Sequence, residues 1–359
     1  MNAHVRLSGV RPLDKAAGRV ELIHGAGGKA MAQLIEEIFA RHFQMIGTGD
    51  DGAVLPSLGL NERLVMATDA HVVSPIFFPG GDIGMLSVFG TVNDVAVMGA
   101  RPLWLAAAFI LEEGFPLADL DRIAASMAKA AREANVAIVT GDTKVVEKGK
   151  GDGIFIITTG AGALPEGIAP TGAGAKPNDA VLVSGTMGDH GMAIMSARAD
   201  MNGLEAGMGF VSSVVSDAAP LHDLIARLFA AGIEIHALRD PTRGGLGATV
   251  NEITFQSGVG MLLEEAAIPV LPEVAAACEF LGIDPFYLAN EGKLVVVCPE
   301  AAADAALAVM RAHPLGKNAA RIGTIGIVSD TRPLVELRTR LGGRLILDWL
   351  SGDPLPRIC

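Results

Sequence analysis

Carboxylates, with one amide beside them, stand in this chain at positions where burial is costly unless a cation or an ion partner is present. They lie beside glycine-rich turns, at the ends of apolar strand patterns and inside an apolar helix pattern. The set consists of Asp50 and Asp51 in GTGDDGAV, Asp69 in ATDAH, Asn93 and Asp94 in GTVNDVAV, Asp142 in TGDTKVV and Asp240 in RDPTRGGL. Any one of these aspartates alone is more often a helix cap or an ion-pair partner. Because Mg²⁺ prefers a few carboxylates together with substrate phosphates, the whole set favours a metal–nucleotide site.

A glycine-rich motif and a lysine offer groups that bind anions. The motif HGAGG, which contains His24 and Gly27, precedes a helical pattern, and a helix N-terminus presents unpaired N–H groups to a phosphate. The signal is weak alone, since it matches neither a P-loop nor a dinucleotide fingerprint, and His24 fits a structural hydrogen bond equally well. Lys144 follows Asp142 and Thr143 at the end of an apolar strand pattern. It would either neutralise phosphate charge during transfer or pair with Asp142.

Glu291 is the candidate general base. In the segment LANEGKLVVV it stands between a loop and an apolar strand pattern. Partial desolvation there would raise its pKa and let it accept a proton near neutral pH. The alternative is a carboxylate exposed to water at the start of a strand, and the spacing does not decide between the two.

The chain ends in SGDPLPRIC, with a lone thiol on a stiff arm. Cys278 and Cys298 lie in apolar patterns and are predicted to be buried and inert, whereas Cys359 is terminal and predicted to be accessible. Pro354 and Pro356 bias the arm away from helix. Extended at ~3.3 Å per residue, the arm would carry the thiol roughly 30 Å.

Composition limits the classes of function. The chain has 359 residues, 50% hydrophobic and 19% charged, which is typical of a globular protein of about two domains. The net charge of −12 argues against a nucleic-acid-binding face. Apolar runs fall short of the ~18 residues that span a bilayer, and the N-terminus lacks the apolar stretch of a signal peptide. With three cysteines far apart, we expect no disulfide framework, no membrane span and a cytoplasmic protein.

Strand and helix patterns alternate along the chain and must position these residues. Apolar runs predict strands at 63–73, 102–113, 136–146, 153–164, 180–185 and 320–330, with a loop at 74–81 and an edge strand or short helix at 344–350. Helical periodicity predicts helices at 82–100, with Asp82 as N-cap, and at 116–135. A Pro- and Gly-rich break at 164–179 marks the predicted boundary. The predicted domains are therefore 1–165, 166–343 and a C-terminal tail at 344–359.

Several motifs together resemble one known family. The run PGGDIG…GTVND…MGA, with HGAGG, GDTKVV, DPTRGGL, NEGKLVVV and the terminal PRIC, is similar to the HypE family of hydrogenase maturation factors. The matching motifs extend from residue 24 to residue 359, and the first run and the PRIC terminus are highly specific. The wider superfamily includes aminoimidazole ribonucleotide synthetase, selenophosphate synthetase and thiamine-monophosphate kinase. The resemblance implies a two-domain α/β fold of the aminoimidazole ribonucleotide synthetase type, homodimeric through the first-domain sheets, with ATP and Mg²⁺ between the domains.

The resemblance also implies an activity, a carbamoyl dehydratase acting on the protein's own C-terminal cysteine. A carbamoyltransferase, HypF, would load Cys359, and the protein would use ATP to convert the S-carbamoyl group to a thiocyanate. The cyano group would then pass to a HypC–HypD complex and become a cyanide ligand of the iron of [NiFe] hydrogenase. Dehydrating an amide means expelling oxygen, and phosphorylation turns that oxygen into a good leaving group.

The implied roles fall into three groups. The catalytic residues would be Cys359, Lys144 and the base, for which Glu291 is the first candidate and His24 the second. The nucleotide would be bound by Gly27, Asp50, Asn93, Asp142, Thr143 and Lys144. The metal ligands would be Asp51, Asp69, Asp94 and Asp240.

Two other classes of function are weighed against this one. A small-molecule kinase or synthetase of the selenophosphate synthetase type carries a reactive cysteine or selenocysteine near its N-terminus, whereas the first cysteine here is Cys278. A scaffold or metal chaperone would use Cys359 as a soft ligand, but one thiol without a neighbouring Cys or His makes a poor metal site. That hypothesis also leaves the carboxylates without a role.

Overall fold

The computed structural model describes residues 12–25, 29–43, 56–59, 61–168, 170–201, 213–326, 333–348 and 358. Two large sheets, built from separate halves of the chain, organise these residues. Helices lie between consecutive strands in both halves, which confirms the predicted α/β class.

The first half carries a four-stranded sheet preceded by a short helical segment. The helical segment comprises a 3₁₀ turn (Leu22–Gly25), α1 (Lys29–Leu34), a π-helical turn (Ile35–Phe39) and α2 (Ala40–His42). The elements that follow are β1 (Glu62–His71), β2 (Phe77–Phe78), β3 (Gly81–Asp82), α3 (Ile83–Val97), β4 (Arg101–Glu112), α4 (Leu117–Glu133), β5 (Ala137–Val146) and β6 (Ile154–Pro165).

The first sheet has one covered and one open face. Its strand order is β1–β6–β4–β5, with β4 and β5 parallel and the other pairs antiparallel. Helices α3 and α4 pack on one face. On the other face, Leu64 and Met66 of β1 are 57% and 64% exposed. Because side chains alternate along a strand, residues of β1 with odd numbers point toward the helices and residues with even numbers point away.

The second half carries a seven-stranded sheet. Its elements are β7 (Asp179–Val183), α5 (Asp189–Met201), α6 (His222–Ala230), β8 (Ala237–Arg239), α7 (Gly245–Ser257), β9 (Gly260–Glu264), α8 (Pro272–Leu281), β10 (Val295–Pro299), α9 (Ala303–Arg311), β11 (Ala320–Gly326), β12 (Val335–Arg338) and β13 (Arg344–Ile346). The strand order is β13–β12–β9–β11–β7–β10–β8, so the segment predicted at 344–350 contains an edge strand. None of the helices in the described part of the chain has the length and hydropathy needed to cross a membrane.

Helix α3 begins where its sequence predicts but ends three residues before the predicted end at residue 100. The Asp82 carboxylate accepts hydrogen bonds from the Gly84 and Met85 N–H groups, which confirms it as the N-cap. The helix ends at Val97 because Gly99 adopts a left-handed φ of 80°. The predicted loop at 74–81 is a correction, since strands β2 and β3 form a short hairpin there. Extended pairing of only two residues per strand is too short for a period-two pattern to reveal.

Candidate active site

Asp69 lies near the end of β1, against the middle of α3. Its Oδ1 accepts a hydrogen bond from the Ala70 N–H at 2.8 Å, and its Oδ2 lies 3.4 Å from His71 Nε2. A Cβ at Gly90 of α3 would stand 2.8 Å from that His71 nitrogen, so the approach of helix and strand requires glycine. Burial lowers the pKa of His71 and favours the neutral imidazole beside Asp69.

Asn93 of α3 joins the two halves of the molecule. Its buried Nδ2 donates to the carbonyls of Ala219 at 3.1 Å and Glu291 at 3.3 Å. Its Oδ1 accepts from the Leu221 N–H at 2.8 Å. The protein backbone thus engages both ends of this amide, and the role of Asn93 in nucleotide binding stays a prediction.

Asp94, one residue further along α3, faces other carboxylates. Burial, followed by the negative charges of Asp240 and Asp69, raises the pKa of Asp94 to about 8. Arg239 and Arg243 oppose that rise but do not cancel it. Burial is the largest cause, and the part of the rise due to Asp240 and Asp69 shows that the two arginines do not fully neutralise the carboxylates around Asp94.

Asp240 brings the second half of the molecule to the same place. It follows β8 in the RDPTRGGL motif, and burial raises its pKa to about 6, with Asp69 and Glu252 adding to the effect. Its Oδ2 is buried and has no hydrogen-bond partner among the described residues. From the same motif, Arg243 Nη2 lies 3.8 Å from Asp69 Oδ1, across the boundary between the halves.

Glu291 is the most deeply buried of these acids. Only 3% of it is exposed, and its Oε1 has no partner within the described part of the chain. Burial, and then the charges of Asp240, Asp217, Asp69 and Asp94, raise the pKa of Glu291 well above its ordinary value. The prediction of a desolvated glutamate is therefore correct, and the water-exposed alternative is wrong.

Asp69, Asp94, Asp240 and Glu291 form what we call the carboxylate cluster. The charges of the three aspartates each raise the pKa of at least one other member. The sequence predicted three of these residues as metal ligands and the fourth as a base. Within the described ranges, no three His, Cys, Asp or Glu side chains converge closely enough to hold a metal by themselves. A Mg²⁺ ion here would therefore need further oxygen ligands, as it commonly takes from substrate phosphates.

A second group of buried acids, which the sequence did not reveal, surrounds Lys293. Its Nζ lies 2.9 Å from Asp217 Oδ2 and 3.4 Å from Asp189 Oδ2. Burial favours the neutral amine, but Asp217 and Asp189 together raise the pKa of Lys293 and keep it charged. We call these three residues the lysine network. The only signal in the sequence was Lys293 itself, two positions after Glu291 in NEGK.

The lysine network contacts the base candidate directly, and the residues next to it in sequence, Ser216 and His190, connect it to the end of the chain. Asp217 Oδ1 accepts from the Glu291 N–H at 2.9 Å. The neighbouring Ser216 Oγ lies 2.8 Å from His190 Nδ1, and His190 Nε2 lies 2.8 Å from the Ile358 carbonyl oxygen. Ile358 is only 4% exposed and packs into the core of the first half. Cys359, the next residue in the chain, lies outside the described residues.

The motif GDTKVV is divided between the two faces of the first sheet. The strand register aligns Thr143 of β5, through β4 and β6, with His71, and Thr143 is buried on the face that α3 and α4 cover. Asp142 and Lys144 alternate with it and are exposed on the open face. Within one chain, Lys144 is therefore on the opposite side of the sheet from Asp69, and the roles predicted for these three residues remain predictions.

His24 packs beside β5 rather than beside the carboxylate cluster. It is 6% exposed, and its Nδ1 accepts a hydrogen bond from the Glu21 N–H at 2.9 Å. A Cβ at the adjacent Gly25 would stand 2.7 Å from the Val145 backbone nitrogen, so this turn lies directly on the strand. His24 thus has the structural hydrogen bond that the sequence left open. The predicted residues Gly27, Asp50 and Asp51 lie outside the described residues.

The chain is similar to proteins of one family over its whole length. Models of the AIR synthase related protein match residues 49–164 with their N-terminal domain and residues 176–332 with their C-terminal domain. The carbamoyl dehydratase HypE of Cupriavidus necator is 60% identical over 361 residues, covering 100% of both chains. A crystal structure of the hydrogenase maturation protein HypE in complex with ATP superposes with a TM-score of 0.88 at 50% identity, covering 94% of this chain and 99% of that one. A crystal structure of a HypE–HypF complex gives a TM-score of 0.75 at 46% identity, covering 90% and 100%.

Proposed function

The chain belongs to the carbamoyl dehydratase HypE family, within the AIR synthase related proteins, and is an enzyme of hydrogenase maturation; from that premise we propose how its residues carry the reaction. Cys359 carries the carbamoyl group, ATP is the phosphoryl donor, and the product on the sulfur is a thiocyanate. The observation that carries this proposal is the burial of Ile358, because it supports an inward position for the end of the chain. Its carbonyl oxygen lies against His190, and the contacts continue through Ser216 and Asp217 to the Glu291 N–H.

Each atom of the reaction has a destination. Bound ATP supplies the phosphoryl group that the carbamoyl oxygen accepts, with ADP as leaving group. The nitrogen of the S-carbamoyl group then loses both its protons, the carbon–oxygen bond breaks, and the oxygen leaves as phosphate. A carbon–nitrogen triple bond remains on sulfur. The protein must hold the thioester-like group away from water and accept the protons from nitrogen.

Glu291 accepts a proton from that nitrogen. Burial, and then repulsion from Asp240, Asp69 and Asp94, raise its pKa, which gives it the basicity for this step and favours its protonated form while the cluster lacks a cation. Positive charge bound among the aspartates would remove the repulsive part of this shift and favour the charged base. The base would thus be activated together with the nucleotide site, and the distance of His24 from the cluster disfavours it as the alternative.

The carboxylate cluster fits Mg²⁺. Asp69, Asp94 and Asp240 offer hard oxygen ligands, and burial together with neighbouring negative charge raises the pKa of the last two. The orphaned Oδ2 of Asp240 is a buried acceptor that a cation or a hydrated cation would satisfy. Asp51, in its glycine-rich motif, is proposed as a further ligand. Gly27 and Asp50 are proposed as contacts to the nucleotide.

A homodimer through the open face of the first sheet would give Asp142 and Lys144 of the motif GDTKVV a role. Leu64 and Met66 are exposed there, and an exposed apolar sheet face favours burial against a partner. Asp142 and Lys144 lie on the same face. In such a dimer they would stand at the interface, where Lys144 would neutralise phosphate charge and Asp142 would fix its position.

The proposed partners are a HypF carbamoyltransferase, which loads Cys359, and a HypC–HypD complex, which accepts the cyano group. A solved complex of a related HypE with HypF, with 46% identity to this chain, supports the first partner. Since no nucleic acid or membrane is required at any step, the reaction is proposed to take place in the cytoplasm.

Mass spectrometry tests the proposal directly. The full-length protein is incubated with its HypF partner, carbamoyl phosphate, ATP and Mg²⁺, and both the intact mass and the C-terminal peptide mass are followed. We expect a carbamoyl adduct on the peptide that ends in Cys359, followed by loss of one water that requires ATP. An unchanged mass, or an adduct on Cys278 or Cys298, would overturn it. A kinase of the selenophosphate synthetase type would instead consume ATP without any change of the C-terminal peptide.

A further inference from the structure

His190 makes a set of contacts that the reaction chemistry alone does not require. It lies in the first turn of α5, is fully buried, and stands edge-on to the Phe78 ring with centroids 5.6 Å apart. Phe78 belongs to the β2–β3 hairpin of the first half, so the imidazole is held between the two halves. Its Nε2 lies 2.8 Å from the carbonyl oxygen of Ile358, the last peptide carbonyl before Cys359.

The direction of each hydrogen bond follows from the chemistry of the partners. A carbonyl oxygen only accepts, so His190 Nε2 carries the proton and donates to Ile358. Burial lowers the pKa of His190, and the neutral ring then leaves Nδ1 as an acceptor for the Ser216 hydroxyl at 2.8 Å. Ser216 Oγ in turn accepts the Ala218 N–H at 3.2 Å. The Ile358 carbonyl thus selects the tautomer, and the serine hydroxyl stabilises it by donating to Nδ1.

The charged groups around this chain of hydrogen bonds are those of the lysine network. Asp217 is the residue after Ser216, and it binds both the Glu291 N–H and Lys293 Nζ. Asp189 is the residue before His190 and is the second partner of Lys293. The segment Ser216–Asp217 thus connects the contact to the tail with the backbone of the base candidate through adjacent residues.

We infer that His190 is a positioning residue, which, with its tautomer stabilised by Ser216, anchors the last peptide of the chain and holds the C-terminal thiol at the carboxylate cluster. The side chain of Ile358 packs in the core and its carbonyl accepts the hydrogen bond from His190. Both contacts form only when the tail is docked. This inference rests on the proposed role of Cys359 as the carrier of the carbamoyl group. His190 itself takes no part in proton transfer to or from the substrate.

The reactivity of the thiols tests the anchor without the dehydration chemistry. Cys278 and Cys298 are 2% and 0% exposed, and burial raises the pKa of each thiol to about 11. In the native full-length protein they serve as slow internal references during alkylation with iodoacetamide, and the modification of Cys359 is read from the C-terminal peptide. Loss of one buried hydrogen bond corresponds to about a fivefold to tenfold change in the undocked fraction.

The variants form two matched pairs. His190→Leu should raise the alkylation rate of Cys359 about fivefold to tenfold, while His190→Gln, whose amide nitrogen can donate from nearly the same place, should stay near the wild-type rate. Ser216→Ala should raise the rate about twofold to fivefold, because His190 Nδ1 loses the hydroxyl that donates to it. The control is Ser196→Ala, a buried serine on the same helix whose hydroxyl has no partner within the described residues.

A second readout separates positioning from folding. With protein already carbamoylated on Cys359, we expect His190→Leu to lower the first-order rate of water loss because a smaller fraction of the tail is docked, with ATP affinity and loading by HypF unchanged. Equal alkylation rates for wild type and His190→Leu, or for the leucine and glutamine variants, would overturn the anchor. If His190→Leu does not fold, equal rates for Ser216→Ala and Ser196→Ala have the same force. If wild-type protein loses no water, the proposed function fails, yet the alkylation series still judges the anchor.

Discussion

The molecule buries two groups of acids, which meet in the sequence at Glu291 and Lys293. Their negative charges are neutralised to different extents. In the lysine network, Asp189 and Asp217 share one internal cation, and burial still leaves Lys293 charged. In the carboxylate cluster, the arginines at the rim leave the pKa of Asp94 at about 8 and that of Asp240 at about 6. The lysine network holds its own cation between its acids, whereas the carboxylate cluster has only the arginines at its rim. We propose a structural role for the first and a ligand site for the second.

The largest effect that would sharpen this contrast is at Glu291. Glu291→Gln keeps the shape of the side chain but removes the base, so we expect the rate of water loss from the carbamoylated protein to fall about a hundredfold to ten-thousandfold. The carbamoyl form should accumulate and be visible by mass. Because burial already favours the neutral, protonated form of Glu291, the thermal stability of the variant should stay close to that of wild type. Dehydration at the normal rate would exclude Glu291 as the base.

Removing the positive charge of Lys293 should mainly lower the stability of the protein, whereas Glu291→Gln should mainly lower the reaction rate. Lys293→Met leaves Asp189 and Asp217 buried without their partner, and breaking a buried ion pair in this way costs about 3–5 kcal/mol of unfolding free energy. Urea unfolding measures it, with Lys317→Met at an exposed position as the control. If both variants lose similar free energy of unfolding, Lys293 does not stabilise the buried pair Asp189 and Asp217.

The smallest effect is a difference in pH dependence. Asp94 has a folded-state pKa of about 8, above its unfolded value of 3.8, so the folded state holds the extra proton between these limits. The free energy of unfolding of the metal-free protein should therefore fall as pH rises from about 5 to about 8, with a slope on the order of 1 kcal/mol per pH unit from this proton. Asp94→Asn should flatten the slope, and so should added Mg²⁺.

Its control is Asp304→Asn, an exposed aspartate in the first turn of α9, which should leave the slope unchanged. Chemical denaturation at a series of pH values, with and without Mg²⁺, makes the measurement. If the slope in Asp94→Asn equals that of wild type, Asp94 is not the group that holds the extra proton in the folded state.

The sequence predicted the members of the carboxylate cluster better than their surroundings. Asp69 ends an apolar strand pattern and Asp94 lies inside an apolar helix pattern, while Asp240 adjoins a glycine-rich turn and Glu291 precedes an apolar strand pattern. These positions are visible without a structure. The side of the sheet on which Lys144 lies depends on a register across β5, β4, β6 and β1, which no single segment contains. His190 and Ser216 carry no local signal either, because their partners come from residues 26 and 168 positions away. Elements and unusual residues could thus be predicted, but long-range pairings could not.

Asn93 and Asp94 are consecutive residues of one rigid helix, yet the first is bound to the backbone of the second half and the second belongs to the carboxylate cluster. Any rotation of the halves that preserves those three hydrogen bonds must carry Asp94 with it. A change in the angle between the halves therefore changes the distances from Asp94 to Asp240 and Glu291. An inhibitor that separates the halves would alter the pKa values of these acids without contacting any of them.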